Sequence, residues 1–198
     1  RFIGNYSSGK MGFALAEACA EAGAEVMLVA GPVSLKTNHS SIDRIDVESA
    51  EEMYRAVLSE YDRSDIAIMC AAVADYAPET VSDVKLKRTG EDRILRLRPN
   101  PDIAAELGRR KRPGQCLVGF ALETNDEEMN ARLKMEKKNL DFIVLNSLRD
   151  AGAGFQCVTN KVTVIGKQGK PVEIPCKPKI AVAADIVDII GRYVSEDR

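Results

Sequence analysis

Residues 65–74 read DIAIMCAAVA, with no polar side chain between Ile66 and Ala74. A strand with one wet face alternates apolar and polar residues, so an unbroken apolar run of this length predicts a central parallel strand covered by helices on both faces. The run ends in small residues, Ala71, Ala72 and Ala74, which would let a flat ring or a ribose approach the backbone. Asp75 places a carboxylate at the rim.

The neighbouring segments fit the same architecture. Upstream, Ser49-x-x-Glu52 is a capping box that opens a helix with Met53, Ala56 and Val57 on one face. EVMLVAG (25–31) is a short buried strand. Before it, Met11, Leu15, Ala18, Cys19 and Ala22 recur at helical spacing until Gly23. Downstream, residues 76–98 are polar, charged and turn-rich, and predict a long flap with one hairpin. Asn100 is expected to cap a helix with Pro101 in its first turn. QCLVGF (115–120) and DFIVLN (141–146) predict buried strands, with a second capping box, Thr124-x-x-Glu127, between them. After the Gly-rich DAGAGF (150–155), KVTVIGKQGKPVEI (161–174) alternates as an antiparallel hairpin, and an Ile- and Val-rich helix closes the chain.

The expectation is a single α/β domain over residues 1–198, a doubly wound, mostly parallel Rossmann-like sheet with an appended antiparallel hairpin. RFIGN reads as the end of a strand-to-loop transition, so the sheet's first strand is expected upstream of residue 1. Ligands of such sheets sit beyond the carboxyl ends of the strands, here the loops after Ile3, Ala30, Ala74 and Phe120.

Composition narrows the chemistry. A net charge of -2 gives no extended footprint for nucleic acid, and no apolar run approaches a membrane span, which points to the cytoplasm. The 5 cysteines are widely spaced without a C-x-x-C pair, and the single histidine, His39, lies in the polar stretch KTNHSS. Reduced, mostly buried thiols and a loop histidine account for these, leaving neither a metal cluster nor a histidine triad.

GNYSSGK (4–10) has P-loop spacing, but the next residue is Met11, which cannot coordinate magnesium, and the strand ending IMCAA lacks the metal-holding acid. A Gly/Ser turn before a helix still offers backbone N–H groups and a positive dipole end to an anion, with Ser7 or Ser8 as a structural cap. Tyr6 and Lys10 also spell the Y-x-x-x-K of short-chain dehydrogenases, but they stand in an opening loop. EVMLVAG, moreover, ends without an acid for a ribose hydroxyl. In the flap, Lys85, Lys87 and Arg88 form a cationic run able to close over phosphates.

Seven phrases in order, RFIGNYSSGKMGFALAEA, AGPVSL, CAAVADY, KLKR, NPDI, VGFALETN and KKNLD, resemble the phosphopantothenoylcysteine synthetase domain of bacterial coenzyme A biosynthesis. The resemblance implies a CTP-dependent ligase. The carboxylate of 4'-phosphopantothenate attacks the α-phosphate of CTP, giving an acyl-cytidylate and pyrophosphate, and the amine of L-cysteine then displaces CMP. It implies Asn5 and Lys85 as catalytic residues, Arg1 and Asn5 at the acyl substrate, and a nucleotide set of Ala71, Ala72, Asp75, Lys85, Asn100, Pro101, Asp102, Ile103, Phe120, Lys134 and Lys138. Mg2+, a homodimer and a fused or partner decarboxylase domain are implied as well. KLKR is shorter than the lysine run of many relatives, so Arg88 replaces one contact with different geometry. A non-catalytic nucleotide-binding domain and an NAD(P)-dependent dehydrogenase are the alternative readings.

Overall fold

The computed structural model describes all residues except 1–3, 6, 89, 91, 93, 124–125, 148–156 and 197–198, and the side chains of residues 147 and 196. The elements run α1 (Lys10–Glu21), β1 (Val26–Ala30), β2 (Ile42–Asp46), α2 (Ala50–Tyr61), β3 (Ile66–Met69), β4 (Tyr76–Pro78), β5 (Leu97–Pro99), α3 (Ile103–Arg110), β6 (Cys116–Glu123), α4 (Glu127–Lys137), β7 (Phe142–Ser147), β8 (Thr159–Gly166), β9 (Val172–Pro178) and α5 (Lys179–Glu196).

The apolar run that decides the fold does what a two-faced strand must. Ile68 and Cys70 pack toward one core with Met11, Leu15, Val118, Val144 and Val182, while Ala67 and Met69 pack toward a second with Leu107, Leu117, Ala131 and Ile143. The first core lies under α1 and α5, the second under α2, α3 and α4. Each fully buried Leu, Ile or Val contributes about 1.5–3 kcal/mol, so these two layers are the main stabilising term. In space the strands run β3-β6-β7-β8-β9, parallel through β7 and antiparallel beyond, so the predicted hairpin is appended to the parallel sheet. β1 and β2 form a separate parallel pair, and β4 and β5 an antiparallel one at the base of the flap.

Local chemistry fixes the helix starts. Ser49 accepts from the Glu52 N–H at 3.1 Å while the Glu52 carboxylate accepts from the Ser49 N–H, the expected capping box. Asn100 is not a helix cap. Asp102 caps α3 instead, accepting from the Ala105 N–H at 3.1 Å, because Asn100 is engaged elsewhere. α4 begins at Glu127 with Asp126 as its N-cap, so the box expected three residues earlier is not its start; Thr124 itself lies outside the described residues. Likewise Gly9, with φ +74°, is the N-cap of α1, rather than Ser7 or Ser8. β2 was not foreseen. Its IDRID pattern carries three charges, and Arg44 satisfies its own by pairing with Asp46 at 2.6 Å and lying 5.2 Å from the Phe13 ring.

At the amino ends of the strands an acid is buried with two bases. Asp141, 6% exposed, accepts from Lys111 Nζ at 2.8 Å, Lys167 Nζ at 3.0 Å and the Leu117 N–H at 2.7 Å. Burial pushes its pKa up, but these donors outweigh burial and hold the carboxyl below its ordinary 3.8. A carboxyl whose folded pKa is depressed contributes stability above its unfolded pKa and loses it as pH falls through the folded one. The unfolding free energy is therefore expected to hold steady down to about pH 4 and to drop below it. Urea titrations along a pH series would check this, and a flat profile to about pH 2 would contradict the assignment.

Candidate active site

β3 ends at Met69, and the chain then runs through small residues without regular secondary structure to a bend at Asp75. Two side-chain amides grip this loop by its carbonyls. Asn5 Nδ2 donates to the Ala72 oxygen at 3.1 Å, and Asn100 Nδ2 donates to the Ala74 oxygen at 2.8 Å. The Asn100 N–H also donates to the Asp75 oxygen at 2.8 Å, continuing the β4–β5 ladder. Asn100 thus acts on the loop from both its side chain and its backbone.

One cleft of ≈ 3970 Å³ runs the length of β1 and β3 and reaches this edge, where Asn5, Ala71, Ala72, Lys85, Asn100 and Phe120 line it. Ser7 to Met11 bring the start of α1 to the same cleft, with no side-chain cap on the helix and no acid in its first turn. That end of a helix favours an anion. Lys85 is fully on the flap and exposed, as is the flap's apolar row of Val81, Val84 and Ile94, the last 90% exposed.

The remaining residues of the expected nucleotide set are placed differently. Asp75 and Pro101 stand just off the cleft, and the Ile103 side chain belongs to the second core, leaving only its backbone to the turn. Lys138 Nζ is tied to Asp102 at 2.9 Å, so one carboxylate both caps α3 and holds a cation of the facing helix end. Burial raises the Asp102 pKa, but Lys138 and the Ala105 N–H outweigh it and hold the carboxyl below its ordinary value. Lys134 is paired with Glu123, which closes β6. Arg1 lies outside the described residues.

Sequence reasoning missed the floor of the cleft. Lys179, the first residue of α5 and 6% exposed, lines it together with Asn146 and Asn160, whose amides bond each other at 3.2 Å. Burial, and then Lys10 nearby, push the Lys179 pKa down, and burial pushes the neighbouring Cys70 thiol up to about 12. The signal was a lysine opening the Ile- and Val-rich closing helix. Among the described residues no group of three or more His, Cys, Asp or Glu side chains could hold a metal ion, and no helix is long and apolar enough to cross a membrane.

Comparison with known proteins agrees with this arrangement. The chain is 54% identical over 187 residues to a cysteine/cysteine sulfinic acid decarboxylase from an unknown prokaryotic organism, covering 94% of this chain and 52% of that protein. It is 48% identical over 191 residues to the coenzyme A biosynthesis bifunctional protein CoaBC of Bacillus subtilis (strain 168), covering 96% of this chain and 47% of that one. The chain therefore spans about half the length of these curated relatives. The crystal structure of the C-terminal domain of a coenzyme A biosynthesis bifunctional protein CoaBC matches with a TM-score of 0.83 at 37% identity, over 99% of this chain and 88% of that one. The family model described as DNA/pantothenate metabolism flavoprotein C-terminal domain matches residues 1–193. With the sheet, the clamped loop after β3 and the open start of α1 all in place, the chain belongs to the DNA/pantothenate metabolism flavoprotein C-terminal domain family.

Proposed function

We propose that this domain is the ligase that joins 4'-phosphopantothenate to L-cysteine in coenzyme A biosynthesis, using CTP. The observation that carries the reading is the shared cleft. Its lining includes the carbonyl-clamped loop of Ala71–Ala74, Phe120, Asn5, the start of α1 and, from the flap, Lys85, which supports the reading.

In the first half-reaction a carboxylate oxygen of 4'-phosphopantothenate forms a bond to the α-phosphorus of CTP, and the bond to pyrophosphate breaks. Lys85, with Lys87 and Arg88 beside it, offsets the charge gathering on the leaving group. In the second, the cysteine nitrogen attacks the acyl carbon, CMP leaves with the bonding pair, and the amine gives up a proton. Asn5 offers a neutral amide to the acyl oxygen. Its donation to the Ala72 oxygen holds it at the loop until substrate arrives. The chain's described residues provide no three-ligand cage, so Mg2+ would travel with the triphosphate oxygens and supply charge neutralisation there. The protein works in the cytoplasm, as a homodimer whose second copy covers the flap's apolar row, with a decarboxylase domain joined to it as the bifunctional relatives' length suggests.

The test is pyrophosphate release by the full-length protein from CTP and from ATP, with magnesium and 4'-phosphopantothenate, with and without cysteine. Release favouring CTP, with amide appearing only when cysteine is added, is the expected result. No release from either nucleotide would leave a nucleotide-binding module as the better reading.

A further inference from the structure

Two neighbouring strands change character at the same end, on the face under α1 and α5. On that face β7 presents Phe142, Val144 and then Asn146, and β8, read back from its far end, presents Val164, Val162 and then Asn160. Each row is apolar until it reaches the carboxyl edge of the parallel strands, where it turns to an amide. Two apolar side chains would fill the place at no desolvation cost, so packing alone does not account for the amides.

Their hydrogen bonds fix which way each amide faces. Asn160, 3% exposed, accepts at Oδ1 from the Lys161 N–H at 3.1 Å and donates from Nδ2 to Asn146 Oδ1 at 3.2 Å, with the Met11 sulfur 3.9 Å from the same nitrogen. Asn146 thus has its oxygen engaged and its Nδ2 hydrogens as the donors it brings to the cleft it lines. A lysine reaches the same corner from another element. β9 is antiparallel to β8, as β7 is, so it too ends at the carboxyl edge, and Lys179 follows it directly. The Lys179 side chain is buried and still lines the cleft, as Lys10 does from the start of α1. Lys10 is near enough for its charge to lower the Lys179 pKa, after the larger effect of burial. Two cations brought together beside amide donors repel one another, and an anion with several acceptor oxygens turns that repulsion into attraction. A phosphate monoester, with a charge of about -1.5 to -2 at neutral pH and three acceptor oxygens, suits two cations better than a carboxylate does.

We propose that Asn146, Lys179 and Lys10 seat a phosphoryl group, and that Asn160 positions the seat by holding the Asn146 amide. The source of the phosphate rests on the ligase reading, which supplies two, the 4'-phosphate of phosphopantothenate and the triphosphate of CTP. Position favours the first. The seat lies on the α1 and α5 side of the sheet, whereas Asp102, Lys134 and Lys138 stand at the ends of α3 and α4 on the other side, and the cations of the flap lie between β4 and β5.

Calorimetric titration of the full-length protein with 4'-phosphopantothenate, pantothenate, CTP and inorganic phosphate tests the seat. Lys179→Met removes the charge at similar volume and is expected to weaken 4'-phosphopantothenate by about 10–100-fold, while pantothenate, which lacks the phosphate, binds as before. Asn146→Ala should weaken it by about 5–10-fold, and carries the test where the lysine variant does not fold. Lys179→Arg should recover most of the loss. A loss confined to CTP would assign the same seat to the triphosphate. Inorganic phosphate separates this proposal from the ligase reading, because a wild-type protein that binds neither substrate should still bind phosphate more tightly than the variants do. The proposal is overturned if the variants bind all three phosphate ligands as the wild type does, or if the wild type binds none of them. It is overturned as well if pantothenate is weakened equally, which would mark a structural role.

Discussion

Gly108→Ala is expected to destabilise the fold by about 3 kcal/mol and lower the melting midpoint by about 6–12 °C, although alanine is the better helix former. Gly108 lies in α3 and is buried, and a Cβ there would fall 1.9 Å from the Lys138 oxygen and 2.8 Å from its carbonyl carbon. The obstacle is backbone, held in turn by Asn139, which donates from Nδ2 to the Gly108 oxygen at 2.9 Å from a left-handed conformation of φ +51°. Neither side can yield without moving Leu107 and Ile103 out of the second core. Alanine's helix preference over glycine, about 1 kcal/mol at most, is too small to offset that. Gly191→Ala in α5 is the control, since its added Cβ meets nothing within 4 Å and the substitution should be neutral or stabilising. Equal melting temperatures for the two variants would show that α3 and the turn after α4 are not in the contact described. Because Lys138 reaches Asp102 from that same turn, the variant should also disturb the cap of α3.

Lys85→Gln is expected to leave the melting midpoint within experimental error and to slow pyrophosphate release by about 10²–10³-fold. The stability half follows from position, since Lys85 is exposed on a segment where Val81, Val84 and Leu86 are exposed too. The activity half rests on the ligase reading. Glutamine is one bond shorter and keeps N–H donors but removes the charge that would meet the leaving pyrophosphate. Lys134 and Lys138 are poor substitutes because each is already paired with a carboxylate, Glu123 and Asp102. Single-turnover measurement of pyrophosphate release separates this step from amide formation. An unchanged rate would remove Lys85 from the chemistry.

The parts of the fold that local chemistry determines were legible. β3, β6 and β7 declare themselves as runs apolar on both faces, and Ser49 with Glu52 forms the box its spacing predicts. Misreadings arose where a residue's partner is remote in the chain. Asn100-Pro101-Asp102 offers two cap residues within three positions, and what decides between them is the Ala74 carbonyl, 26 residues upstream of Asn100. Lys134 and Lys138 stand four residues apart at the end of α4, but their carboxylate partners come from β6 and from the cap of α3, so helical spacing could not show that their charges were engaged. β2 escaped because its three charges mask a strand whose Arg44 is paired with Asp46 two residues on and lies over the Phe13 ring, the one of these neighbours that only the fold supplies. Of the expected site, the small-residue loop was legible from the end of its apolar run; Phe120 lines the cleft from within β6, which continues to Glu123 instead of ending in the loop expected after Phe120, and Lys179 was not legible.

The two asparagines on the loop after β3 divide the site mechanically. Asn5 and Asn100 anchor residues 72 and 74 from different parts of the chain, and the flap departs only after Asp75. Any swing of the flap is thus hinged beyond the second anchor, as a door is hung on a frame that does not move with it. On the ligase reading, substitutions in the flap should alter how fast the door closes, or on how many charges, without redrawing the surface that selects the ligand. On that reading selectivity and rate are open to separate adjustment over evolutionary time, the first by residues 70–75 and the second by the flap.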